Sequence, residues 1–388
     1  MEHLLACQRA GIVVQEPHSM AINFRFPGPT PLPPRVREAL GHEMEPHRGP
    51  AFRALFTELL EMARAAHRTE HDVLVWAGSG SAGWEIAVVN LFSPGDQVLA
   101  AVNGNFGERF AGVAKRLGLD VRRLEVEWGQ PVLPDQLRDA LKANPGVKGV
   151  LLVHNETSTG VTNPMQELAA VVRDHGALVL VDSVSGIGAL PLEMDDWGID
   201  LVMSGSQKAW MCPPGLVIVA AGPRAWAATE TASYPRFFWD MADSREWAKK
   251  GMTPTTSPMT MLYGYHAALQ LIHEEGIENV WQRHRELGEF TRQAVRDAGL
   301  ELFAAPGYES NSVTAFRPPD GVPASEMLAI MRNQYGVEAQ SGQAHMVEQM
   351  VRVGHMGWAH MPDMVEAMAA VAATTAQLRA RTTEASAV

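Results

Sequence analysis

Cysteine is nearly absent from this 388-residue chain, which has only Cys7 and Cys212. Two cysteines so far apart form neither a metal-binding spacing nor a disulfide framework, so no metal site is expected and a reduced, cytoplasmic protein follows most simply. Long hydrophobic runs are also missing. No stretch approaches the roughly 18 apolar residues of a membrane span, and no basic segment followed by an apolar run opens the chain. Neither a span nor a signal peptide is expected. Positive charge is scarce: 32 Lys and Arg stand against 44 Asp and Glu, a formal −12 at pH 7. That balance argues against nucleic acid and anionic membranes as partners, since both need clustered cations. Small anions remain open, because one local arginine outweighs a diffuse negative field. Internal repeats and low-complexity tracts are lacking as well. What is present is ordinary for a globular protein, 46% hydrophobic and 20% charged. The chain is long enough for a large core, as two domains or one large α/β unit.

Residues 1–21 read as a loose arm. Residues 23–34 (NFRFPGPTPLPP) hold too much proline for a helix or a central strand, and read as an extended lead-in segment. Two helical patterns within 35–66 are divided by a break at 46–50. From residue 72, β-rich runs alternate with helical stretches. Strands are expected at 72–77, 97–102, 121–126, 147–153, 178–181, 201–203 and 216–220, and helices at 83–90, 107–117, 134–142 and 165–175. This rhythm predicts an α/β fold whose mainly parallel, seven-stranded sheet carries helices on both faces. Aromatics and prolines interrupt it over 225–260. A long helix over 262–275, continuing to 296, leads into a smaller α+β domain, and 382–388 is expected to fray. The expected division is 22–261 for a large domain, with 1–21 and 262–388 forming the small one.

Chemistry concentrates in a few places. In Ser204-Gly205-Ser206-Gln207-Lys208-Ala209-Trp210 a single lysine sits among small residues just past a buried strand. It is either a surface lysine in a turn or a partly desolvated amine, which has a lowered pKa and attacks carbonyls. Gly78-Ser79-Gly80-Ser81-Ala82-Gly83 follows a strand and opens a helix, where free N–H groups cradle an anion. The run also fits G-x-G-x-x-G, but a dinucleotide site wants an acid at the end of the next strand, and Asp96 precedes that strand. A single-phosphate cofactor fits better, with a purely structural turn as the plain alternative. Asp182 ends a buried strand and so faces the crevice where open α/β sheets bind ligands. A carboxylate beside a pyridine nitrogen keeps that ring protonated and electron-accepting; the plain alternative is a helix N-cap. Arg352, flanked by apolar residues, suits either a substrate carboxylate or an internal ion pair. Phe106, in a glycine-flanked loop, stacks on a planar ligand or belongs to the core. Residues 154–160 (HNETSTG) offer hydroxyls to the same crevice.

In this order these features resemble the class V aminotransferases, pyridoxal-phosphate enzymes of fold type I, and among them the alanine–glyoxylate and serine–glyoxylate group. The resemblance runs over nearly the whole chain through FPGPTPLPPRV, GSGSAGWE, SPGDQVL, NGNFGER, HNETSTG, VDSVSGIGALPL, DLVMSGSQKAWMCPPGL, TPTTSP and VRVGHMG. It implies pyridoxal 5'-phosphate as cofactor and ping-pong transfer of an amino group from alanine or serine to glyoxylate or pyruvate. Lys208 would hold the cofactor aldehyde as a Schiff base and shuttle the substrate Cα proton, and Asp182 would pair with the pyridinium nitrogen. Phe106 would stack on the ring, where many relatives place tryptophan, with Val184 on the opposite face and Thr157 bonding the ring hydroxyl. Ser79, Gly80, Ser81 and Gln207 would hold the phosphate, although some relatives carry histidine at the place of Ser81. Thr256 would reach the phosphate of the neighbouring subunit, which implies a homodimer with active sites at its interface. Thr253 stands where some relatives have a tyrosine. Arg352 would clamp the substrate α-carboxylate, with the Gly28 backbone nearby. Alternatives on the same scaffold are aspartate, ureidoglycine or aminoethylphosphonate donors, and lyase or desulfurase chemistry, for which neither cysteine is well placed. A nicotinamide-dependent oxidoreductase is the alternative of another class. Phe26, His47, Arg48, Arg236 and His355 carry no assigned role.

Overall fold

The computed structural model describes residues 22–386; the arm 1–21, with Cys7, lies outside the described residues. At its centre is a sheet of seven strands: β1 (Asp72–Gly78), β2 (Gln97–Val102), β3 (Asp120–Glu125), β4 (Gly149–Val153), β5 (Leu178–Asp182), β6 (Leu201–Gly205) and β7 (Gly215–Ala221). Their spatial order is β1-β7-β6-β5-β4-β2-β3. Every run expected to be a strand is one, shifted by no more than two residues at an end. The pairs among β2 to β6 are parallel, whereas β7 runs antiparallel to β1 and β6. The loop between β6 and β7 explains the reversal. A parallel return needs a crossover of about a dozen residues or more, and this short Lys208-bearing loop is not one.

The helices are α1 (Pro34–Ala39), α2 (Pro50–His67), α3 (Gly80–Leu91), α4 (Asn105–Arg116), α5 (Pro134–Ala143) and α6 (Met165–His175), then a short helix Met194–Trp197 ahead of β6 and further helices after the sheet. Side chains alternate across the pleat, so Leu99 and Ala101 enter one core while Val98, Ala100 and Val102 enter the other. Phe52 and Phe56 of α2, Leu137 and Leu141 of α5 and Leu168 and Val172 of α6 close the first core. Trp84, Ile86 and Val88 of α3 and Phe110, Ala111 and Ala114 of α4 close the second. Covered on both faces, β4 and β6 are buried at every residue, which is why they read as continuous apolar runs.

Beyond the sheet, the single long helix expected over 262–296 is two helices, Met259–Glu275 and Ile277–Asp297. Gly276 between them, at φ 83 and ψ 130, breaks the ladder. Leu262, Tyr265, Leu269 and Ile272 still belong to the core of the large sheet, while Leu287 and Val295 enter a separate core. That second core lies between helices Ala324–Tyr335 and Met361–Ser386 and an antiparallel sheet of Val313–Phe316, Val351–Gly354 and Gln340–Ser341. The tail expected to fray remains helical as far as Ser386. Strand Asn23–Phe24 pairs in parallel with Val337–Glu338, so the lead-in segment starts on this second body before crossing to the large sheet.

Candidate active site

The parallel strands end on one edge of the sheet, and Lys208, Asp182, the 79–81 loop, Phe106, Thr157 and Arg352 lie there. Lys208 lies in the β6–β7 loop, buried. The lead-in segment is laid over it: Thr30 N–H donates to the Gln207 carbonyl at 3.1 Å, and Thr30 Oγ1 donates to the Lys208 carbonyl at 3.0 Å. Lys208 Nζ donates to the Pro27 carbonyl. A Cβ on Gly28 would stand 2.5–2.7 Å from Lys208 Cδ, Cε and Nζ, and Gly28 has φ +106, so only glycine lets the two approach. Burial, with help from the Arg352 charge, pushes the Lys208 amine down to about 8, against the opposing pull of Asp182.

Asp182 closes β5 beside β6, paired in register with Met203. Its Oδ1 accepts from Val184 N–H at 2.9 Å and its Oδ2 from the indole N–H of Trp84 at 2.8 Å. Burial raises its carboxyl above the usual range, and those two donors, then Lys208 and Arg109, act in the other direction.

The loop 79–81 opens α3, and Ser79 at its N-cap makes no side-chain capping bond; the Ala82 N–H turns back to the Ser79 carbonyl at 2.8 Å, which leaves the N–H groups of Gly80 and Ser81 for another acceptor. Gly205 draws Gln207 toward it: a Cβ there would lie 2.9 Å from Gln207 Oε1 and 3.1 Å from Gly80 N. Gln207 Oε1 is buried without a partner. Val184 packs on Gly80, whose Cβ would meet Val184 Cγ2 at 2.6 Å. A cavity of about 470 Å³ adjoins the loop, lined by Ser79, Ser81, Trp84, Arg109 and Trp239 among others.

Phe106 sits in the first turn of α4, half-buried, rather than in a loop. Its N–H and that of Gly107 donate to the buried Glu156 carboxylate at 3.1 Å each, and Ser158 Oγ also donates to it. Burial raises the Glu156 carboxyl above the usual range. Thr157 Oγ1 bonds Ser185 Oγ, while the Thr157 carbonyl accepts from Arg352 at 3.2 Å. Arg352, on strand Val351–Gly354, also donates to the Ser341 carbonyl at 2.8 Å, and among the described residues no carboxylate pairs with it. Burial pushes its guanidinium down to about 10, with Glu156 opposing.

The family profile "Aminotransferase class-V" matches residues 22–368. The chain belongs to the class V aminotransferases. The serine–glyoxylate aminotransferase of Methylorubrum extorquens is 38% identical over 85% of this chain and 85% of its own length. The L-aspartate–glyoxylate aminotransferase of Paracoccus denitrificans is 37% identical over 91% of this chain and 89% of that protein. The alanine–glyoxylate aminotransferase structure from Nostoc sp. superposes with a TM-score of 0.87 at 31% identity, covering 95% of this chain and 98% of that one. This class V aminotransferase is therefore an α/β transaminase of fold type I that uses pyridoxal phosphate. The nicotinamide alternative conflicts with the sheet as well. In dinucleotide folds the glycine loop follows a strand near mid-sheet, and here it follows the edge strand β1.

Other residues lie elsewhere. Thr256 is exposed between helices Met241–Ala248 and Met259–Glu275, and Thr253 bonds Ser257 and the Thr255 carbonyl. Arg48 stacks on Trp247 at 4.4 Å, and Arg236 is tied to the carbonyls of Val89, Thr229 and Ala232. His355 is buried between Thr314 and the Asn311 carbonyl, its pKa driven well below the usual value by burial. Trp84, Arg109, Glu156 and Ser185 were not singled out by the sequence. Trp84 and Arg109 lie in helices, Glu156 in a short strand and Ser185 in a turn, and none stands out until the sheet brings it to the crevice. No helix among the described residues is long and apolar enough to cross a membrane.

Proposed function

We propose that this transaminase moves the amino group of a small amino acid, alanine or serine, to glyoxylate or pyruvate. The observation carrying this reading is Arg352, a buried guanidinium with two carbonyl contacts and no carboxylate of its own among the described residues. A planar substrate carboxylate completes such a site. Of the arginines without a sequence-assigned role, Arg48 is held on Trp247 and Arg236 by main-chain carbonyls, so neither stands ready for a second carboxylate. That favours a donor with one carboxylate. The 37% identity to an L-aspartate–glyoxylate aminotransferase supports aspartate as the second reading.

The residues present fit pyridoxal phosphate. In this reading its phosphate takes the free N–H groups of 79–81 and the amide of Gln207, whose buried oxygen has no partner and whose amide can be turned to donate. Phe106 and Val184 would flank the ring, Thr157 would meet its hydroxyl, Asp182 its nitrogen and Lys208 its aldehyde. When bound, the cofactor supplies an electron sink for the bond broken at the substrate α-carbon. Lys208 Nζ takes the α-proton and returns it, a task suited to an amine whose pKa is about 8. Arg352 and the Gly28 backbone hold the substrate carboxylate and thereby orient that bond. The lead-in segment over Lys208 keeps water from the amine. Thr256 completes the phosphate site of the partner in a homodimer, and the reduced thiol of Cys212 suits the cytoplasm. A desulfurase role conflicts with Cys212: it is buried, with a thiol pushed up to about 12 by burial, far from a ready nucleophile.

The test is a set of half-reactions. The holoenzyme is mixed in turn with alanine, serine, aspartate and glycine, and the visible cofactor band is followed with time. Alanine or serine should bleach it faster than aspartate. Faster bleaching by aspartate overturns the small-donor reading in favour of the second.

A further inference from the structure

Trp84 is buried in α3 and spends its one polar atom on Asp182, donating from Nε1 to Oδ2 at 2.8 Å. An indole N–H can only donate, so this bond favours the carboxylate over the carboxylic acid and works against the effect of burial. Phe110 stacks on the indole with ring centres 5.9 Å apart. Packing alone would be served as well by a ring with no N–H. Arg109 of α4 lies over the same indole, its Cζ 5.1 Å from the ring centre and 5.8 Å from that of Phe106. One guanidinium nitrogen also reaches Ser81 Oγ at 3.2 Å. A cation held on an indole face is attracted to the ring and polarises its N–H toward the acceptor.

We propose that Trp84 is a positioning residue for Asp182, and that Arg109, seated on the indole, completes a relay holding this carboxylate ionised and aimed at the cofactor ring nitrogen. The inference rests on the placement of Asp182 against that nitrogen in the proposed function. The other charged groups facing Asp182 are few. Lys208 approaches from the β6–β7 loop, with Arg352 acting on Lys208 in turn. His154 beyond β4 bonds the neighbouring Ser183, but burial pushes its imidazole down to about 4 and it stays neutral. Glu85 and Glu108 line the outer cavity with Arg109. Burial therefore has to be offset by Lys208 and by the Trp84–Arg109 pair, together with the Val184 N–H.

Trp84→Phe keeps a ring for Phe110 and Arg109 and removes the donor together with part of the indole bulk. Apoprotein is titrated with pyridoxal phosphate at several pH values, the visible band giving the dissociation constant, and kcat and KM are measured separately. The expected result is about tenfold weaker cofactor binding, since losing a hydrogen bond to a charged group is an effect of that order. The loss should deepen toward acid pH, where Asp182 without its donor takes up a proton earlier. The kcat should fall while the KM for the amino acid changes little. Arg109→Gln should shift binding in the same direction by less, and Arg109→Lys should recover part of it. Unchanged affinity and pH dependence in Trp84→Phe overturns the proposal. If that variant does not melt cooperatively as the wild-type apoprotein does, the exposed Arg109→Gln decides by the same readout. Asp182→Asn separates the two levels. Should Asp182→Asn bind cofactor as well as wild type, the placement of Asp182 itself fails. Should it bind weakly while Trp84→Phe and Arg109→Gln bind normally, only the relay fails.

Discussion

A lysine charge is normally retained to high pH, and at Lys208 the surroundings work against it. Desolvation and the Arg352 charge bring the amine to about 8 from the ordinary lysine value of 10.5. Only the neutral amine attacks an aldehyde. Capture of pyridoxal phosphate by the apoprotein should therefore accelerate about tenfold per pH unit below 8 and level off above it, which stopped-flow absorbance can follow. Lys208→Ala should leave no cofactor covalently fixed to the chain after borohydride reduction. The cause of the shift is testable too: Arg352→Gln removes a cation beside the amine, so the midpoint of the capture profile should move to higher pH. An unchanged midpoint would mean that desolvation alone sets it. The same variant tests the clamp. Truncating one partner of a buried charge pair costs about 2–5 kcal/mol, so kcat/KM for the amino donor should fall by at least tenfold. For apoprotein stability the sign is opposite to that of a salt-bridged lysine. The folded pKa lies below the unfolded one, so between about 8 and 10.5 the unfolded chain binds more protons, and stability from this group rises with pH across that window.

At the scale of elements, the first turn of α4 hangs on Glu156. Its carboxylate takes the N–H groups of Phe106, Gly107 and Ser158 together with Ser158 Oγ, so one buried group fixes the turn that presents Phe106 and the stretch that presents Thr157. Glu156→Ala leaves those donors buried and unmatched at a cost of about 1–3 kcal/mol. It should lower the melting temperature of the apoprotein and loosen cofactor binding together, whereas a surface substitution such as Glu125→Ala should do neither. This element also marks how far the sequence could be read. The strands were legible because a parallel sheet buried on both faces writes itself as short apolar runs at helix-length spacing, and Asp182 and Lys208 could be placed because each follows such a run. Gly276 was hidden inside an apolar-periodic stretch, so two helices read as one. Glu156 could be seen only as a member of HNETSTG, since what gives it a role is α4 lying alongside, and adjacency of β4 to β2 is a property of strand order that no local pattern encodes. Trp84 and Arg109 were invisible for the same reason: they meet across two helices that share a sheet face.

For the whole molecule, the proposed phosphate end of the site is open to solvent within one chain. Ser79 is exposed, the adjoining cavity opens past Arg109 and Trp239, and Thr256 is exposed on its own chain with no side-chain partner at that loop. Nearby, Phe237 is 87% exposed beside a part-exposed Phe238, an apolar surface of the kind that subunit contacts cover. In the proposed two-fold dimer each subunit would offer the same patch to the other, so a Thr256 contributed across the interface would close both sites at once. Sharing of this kind has a signature that simple association lacks. A Lys208→Ala chain has no amine but an intact Thr256, and a Thr256→Arg chain has the amine but spoils the partner's phosphate site. Mixed by unfolding and refolding together, random pairing should restore about a quarter of the wild-type sites, because each mixed dimer holds one site with neither defect. The amount of cofactor fixed to the chain by borohydride and, in an unreduced sample, the transaminase rate should recover in the same proportion, and sedimentation should show dimers throughout. If Thr256 served only its own chain, the Thr256→Arg subunits would stay defective in every pairing and mixing would restore nothing.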